Sequence, residues 1–199
     1  MPEHSSITDP HIHEPKGISG ATEGMVYVAD GNGSGTWRYW PYGKAYYQHA
    51  FGTAQVINTT PSLLQVNGSG SLTQTSKVPR EIGGGALWDT AGYKLLPIRL
   101  NDIYTLRVDL PVTSETGSPT ELTVQFDIGG LNTPTNVIMS KFFKTGRTTP
   151  YTISFDTTLD VLSATTLNNG VQVFLKTDVG SLTLGNPGIL IAKVIDGLM

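Results

Sequence analysis

His11 and His13 form an H-x-H near the start of the chain. Two imidazoles two residues apart on an extended backbone point the same way and can share one metal ion. A sandwich metal centre of the cupin kind adds a glutamate four or five positions after the second histidine. Here those positions hold Gly17 and Ile18, Glu14 directly follows His13, and prolines flank the segment, so that chemistry fails. One route to a metal stays open: three chains meeting on an axis, each giving both histidines to one ion. The default is contact with solvent or with a partner, so neither a metal nor any cofactor is expected. Asp30-Gly-Asn-Gly-Ser-Gly35 matches the first half of a calcium loop, but Pro41 stands where the bidentate glutamate is needed. It reads as a hairpin turn.

Other constellations are equally thin. Asp102, Asp109, Glu121 and Asp127 could be drawn into carboxylate pairs, yet Asp109 and Asp127 fall on the face of their strands expected to meet solvent. No serine sits in G-x-S-x-G, no phosphate-binding G-x-x-x-x-G-K-[ST] is present, and Gly83-Gly-Gly85 opens no helix. The chain reads as a non-enzyme. Lys141, Lys144 and Arg147 beside Phe142 and Phe143 form the one basic cluster, which suits an anionic surface or a solvated strand end. Trp37, Tyr39, Trp40, Tyr42, Tyr46 and Tyr47 crowd one short stretch. Such aromatics anchor interfaces or cap the open end of a sandwich.

The elements that must position these residues are strands. Tyr104, Leu106, Val108 and Leu110 alternate with Thr105, Arg107 and Asp109, and Leu122, Val124, Phe126 and Ile128 alternate with Glu121, Thr123, Gln125 and Asp127. A period of two marks strands with one apolar face, and Pro111 to Thr120 reads as the loop of an antiparallel pair. Such a pair needs a second sheet laid against it. Composition agrees: 23 Gly, 12 Pro and 15% charged residues in 199 suit short strands joined by tight turns. The expected fold is all-β, an antiparallel sandwich preceded by an extended N-terminal arm with a small hairpin.

A net charge of −3 offers no basic surface for a phosphate backbone, so nucleic acid is not an expected partner. No apolar run reaches the 18 or so residues of a membrane span, and the polar, acidic Met1 to Pro10 does not read as a secretory signal. With no cysteine, durability must come from packing or assembly.

Residues 1–41 hold few apolar side chains and read as an arm that orders against a partner. Within it, Met25 to Ala29 and Thr36 to Trp40 would form the hairpin. In residues 42–199, Tyr46 to Asn58 suggests a strand or a pair bent at Gly52. Ser62 to Val66 and Ser71 to Val78 are weaker candidates, Ala86 to Trp88 follows Gly83 to Gly85, and Tyr93 to Arg99 reads as a strand interrupted at Pro97 and so near an edge or bulge. Val137 to Lys144, Tyr151 to Asp156, Val171 to Lys176 and Ile189 to Ile195 complete the strands. The last is apolar on both faces, as in a central strand or one at a subunit contact.

Asp9-Pro-His-Ile-His-Glu-Pro-Lys-Gly17, then Met25-Val-Tyr-Val-Ala-Asp-Gly31 and a glycine turn ending at Trp37, resembles the N-terminal segment of small structural proteins of tailed bacteriophages. Asn101 to Leu110 and Gly188-Ile-Leu-Ile-Ala-Lys-Val194 look like their jelly-roll domain, which is similar to the tumour-necrosis-factor trimer. The resemblance implies a capsid decoration (cement) or head-fibre protein: a homotrimer on the capsid exterior of the virion, present in the host cytoplasm during assembly. The arm would contact major capsid proteins through His11, His13, Glu14, Lys16, Trp37 and Trp40. A competing reading is a fibre tip that recognises host surface glycans, with Tyr151, Asn168 and Asn169 as candidates.

Overall fold

The computed structural model describes residues 21–23, 25–29, 35–50, 52–79, 85–129, 136–142, 149–195 and 197, with the backbone alone for 136–142. His11, His13, Glu14 and Lys16 lie outside the described residues, as do Phe143, Lys144, Arg147 and most of the Asp30 to Gly35 turn.

Met25–Ala29 (β1) and Gly35–Tyr39 (β2) pair antiparallel as the expected hairpin, Ala29 opposite Gly35 and Met25 opposite Tyr39. Among the described residues no strand of this two-stranded sheet pairs with either larger sheet. Gly35 is required there, because a Cβ would sit 2.3 Å from the Val28 carbonyl oxygen.

The body begins with Gly43–Gln48 (β3), Val56–Ile57 (β4), Ser62–Leu63 (β5), Trp88–Asp89 (β6) and Lys94–Leu95 (β7). Then come the long strand Ile103–Thr116 (β8), Glu121–Asp127 (β9), Asn136–Phe142 (β10) and Tyr151–Asp160 (β11). The short helix Ala164–Asn169 (α1) precedes Val171–Thr177 (β12), Ser181–Leu184 (β13) and Gly188–Ile195 (β14). One six-stranded sheet runs β3-β14-β8-β13-β4 with β11 on the free side of β8. The other runs β10-β9-β12-β7-β6 with β5 on β12. Every pairing is antiparallel. Two such sheets enclosing one core are a jelly-roll sandwich.

The alternation read from sequence sets the core. Tyr104, Leu106, Val108 and Leu110 from β8 and Leu122, Val124 and Phe126 from β9 are buried in one cluster, with Ile128 packed against it. The expected pairing of these strands is corrected: β8 and β9 belong to opposite sheets and face each other across the core. The expected loop from Pro111 is corrected too. β8 continues to Thr116 and buries Val112, and the connection shrinks to residues 117–120. Proline is tolerated because β14 pairs with β8 only as far as Asp109 and β13 takes over at Val112. The Pro111 carbonyl accepts from Gly185 N at 2.6 Å on that same side, so its missing N–H falls where neither strand needs it.

A third correction concerns the outer face of β9. Thr123, Gln125 and Asp127 were expected in solvent and are buried. The two-residue period sets which way a side chain points and says nothing of what lies over it. β13 and α1 had no counterpart in the sequence reading. The helix is six residues long, too short to show a period, and starts from Ser163, whose hydroxyl accepts from Thr166 N at 3.1 Å.

Candidate functional site

The hairpin gathers the arm's aromatic residues. Tyr27 and Trp37 are register partners and meet edge to face with centroids 5.4 Å apart. Met25 and Tyr39 flank them on the same face, where the Tyr39 hydroxyl bonds Thr22 Oγ1 at 2.9 Å. The Trp37 indole N–H is buried with no acceptor, a deficit worth about 1 to 3 kcal/mol. Trp40 leads back to the body, 54% exposed, its ring edge-on to Tyr42. The crowded aromatics therefore divide. Tyr47 alone enters the core, where its hydroxyl accepts from Leu87 N at 3.1 Å, while Trp37, Tyr39, Trp40 and Tyr42 stay on or beside the hairpin.

The carboxylates do not converge on a reacting centre. Asp109 lies on the outer face of β8, 2.9 Å from Arg107 Nε and 2.7 Å from the Ser154 hydroxyl that donates to it; this neighbour holds the Arg107 guanidinium above its ordinary pKa. Asp102 is fully buried. It sits 3.2 Å from the equally buried Lys193 Nζ and accepts from Tyr104 Oη, Arg99 N and Gly197 N at 2.9–3.0 Å. Lys193 was read within an apolar strand. It follows Ile189 and Ile191 on the inward side of β14, a position the period of two could reveal but its residue type disguised. A carboxylate held by this many donors is a structural ion pair, locking the end of β14 to the start of β8.

Two amides are also stranded. Gln125 and Gln172, on the outer sides of β9 and β12, each bury an Oε1 that has no donor. Tyr151, Asn168 and Asn169 are not brought together. Tyr151 opens β11, and the helix holding both asparagines follows that strand's far end, about 30 Å away for ten residues of strand. Tyr151 Oη donates instead to Glu115. Among the described residues no group of three His, Asp or Glu side chains gathers to hold a metal ion, and no helix is long and apolar enough to cross a membrane.

Topology and core thus define an antiparallel jelly roll. No protein-family model and no curated protein sequence matches the chain. Solved structures do. The PRD1 vertex protein P5 superposes with a TM-score of 0.52 at 15% identity, over 88% of this chain and 84% of that one. The Eiger TNF from S. frugiperda gives 0.49 at 9% identity, over 79% of this chain and 96% of that one. At these identities the likeness is one of fold.

Proposed function

We propose that the chain is a non-enzymatic structural protein of a bacteriophage virion that binds the capsid exterior as a homotrimer and decorates or stabilises it. Residues 1–41 form the attachment arm that contacts major capsid proteins, and residues 42–199 form the trimerising domain. The observation that carries this reading is the hairpin. A lone two-stranded hairpin is at best marginally stable in water, and among the described residues this one pairs with neither sheet of the body while carrying Tyr27, Trp37 and Tyr39 on one face. An element of that kind gains its stability on a partner. His11, His13, Glu14, Lys16, Trp37 and Trp40 are the contacts assigned to the arm. A fold shared with the PRD1 vertex protein P5 supports the reading, although one fold serves many functions. A trimer would let three arms engage together, so avidity exceeds any single contact.

The test is attachment to purified capsids lacking the protein, followed by co-sedimentation. Full-length protein should bind saturably, and protein deleted for residues 1–41 should remain folded and stay in the supernatant. Undiminished binding by the deleted form would overturn the assignment of the arm. Saturable binding of that form to host glycans, with none to capsids by either form, would establish the fibre-tip reading instead.

A further inference from the structure

The outer face of the β3-β14-β8-β11 layer carries a charge pattern outside the aromatic hairpin. Leu190 is register partner of both Tyr46 and Arg107, and Arg107 of Asp156, so these four side chains form one row across the four strands. The rows on either side are Lys44, Ala192, Thr105, Thr158 and Gln48, Gly188, Asp109, Ser154. In the middle, charge is compensated by the Arg107–Asp109 pair. At the β3 edge it is not. There Lys44, Tyr46, Gln74, Ser76, Lys77 and Leu190 line a cavity of about 180 Å³, and neither lysine has an acidic partner among the described residues. The Lys44 and Lys77 backbones are joined there, because Lys44 N donates to Lys77 O at 2.8 Å, and both side chains are exposed at the cavity they line.

The opposite edge bears the complement. Among the described residues β11 pairs as a strand with β8 and projects Asp156 and Asp160, both exposed, on the same outer face. They lie three strand spacings from β3, about 14 Å. We propose that the β3-edge cavity of one copy receives the acidic β11 edge of a second copy of this chain, with Lys44 and Lys77 facing Asp156 and Asp160. The floor suits a protein surface: Leu190, which lines the cavity, is a half-buried outward side chain on a strand that reads apolar on both faces. A patch and its complement on one chain make a contact between different surfaces of two copies, and a closed ring uses each once. The inference rests on the trimer reading and supplies its contact.

All four residues are exposed, so charge reversals there leave the core intact, which circular dichroism checks. Light scattering coupled to size-exclusion chromatography should give a trimer for the wild type. Lys44→Glu with Lys77→Glu, or Asp156→Lys with Asp160→Lys, should each weaken assembly at least tenfold and shift the mass toward the monomer. All four changes together should restore it. Trimers unaffected by either reversal would overturn the pairing and leave the trimer standing. A wild-type monomer would overturn both. A dimer that follows the same swap would keep the pairing and remove the threefold reading. Binding of a sulfated oligosaccharide to the wild-type trimer, lost in Lys44→Glu with Lys77→Glu, would overturn the proposal by showing that the cavity stays open.

Discussion

At the residue scale the molecule's least forgiving point is the Asp102–Lys193 pair. Both side chains are fully buried, and the carboxylate's other donors are backbone groups of Arg99 and Gly197 and the Tyr104 hydroxyl. Removing one charge leaves the other uncompensated in the interior, which typically costs about 3 to 5 kcal/mol. Lys193→Met should therefore lower the urea-unfolding free energy by that amount, and adding Asp102→Asn should recover part of it. His49 provides a pH signature. It is buried, and its Nδ1 accepts from Asn67 N at 3.1 Å, so the neutral ring is the one that fits. Burial holds its pKa below the ordinary histidine value. The unfolded chain then takes up this proton first, near pH 6.5. The contribution of His49 is fully present above that pH and is lost as pH falls toward the lower folded value. Urea midpoints measured between pH 8 and 5 should fall on acidification, and less steeply in His49→Gln; equal slopes would contradict this assignment.

Among the elements, the strand turns at the sandwich ends are the sensitive joints. Gly180 has φ of 60°, and a Cβ there would meet the Thr116 carbonyl oxygen at 2.0 Å. Gly180→Ala should cost about 1 to 3 kcal/mol in unfolding free energy, and a neutral result would mean the β12–β13 turn is laxer than its geometry. The inward faces of β8, β9, β11 and β12 were legible in sequence, because a period of two is local and survives any topology, whereas β14 is apolar on both faces and its inward side did not show. Which strands pair was not legible either. Leu122 to Ile128 looks the same whether it lies beside β8 or across the core from it, and only the short 117–120 crossing decides. Buried polar positions were also hidden: Lys193, Thr123, Gln125 and Asp127 carry residue types that sequence reading sends to solvent. Of the candidate site, the aromatic hairpin was legible from its glycine turn. The cavity was not, since Lys44 and Lys77 lie 33 positions apart and meet only through the bond between their backbones.

At the scale of the whole molecule, the aromatic hairpin and the two sheets of the sandwich are distinct sheets among the described residues. The sandwich has a core of its own, and the proposed function lays the hairpin on another protein's surface. A trimer joined through β3 and β11 would leave three arms free to engage together. The measurement that tests this most directly is an image of assembled phage particles at a resolution that traces chains. The account predicts trimers on the capsid exterior, with residues 25–39 of each copy laid against major capsid protein and the Lys44–Lys77 cavity of one copy filled by its neighbour's β11. Particles that carry the protein at a fibre tip, or with the hairpin folded back on its own sandwich and the capsid gripped by the jelly roll, would contradict it.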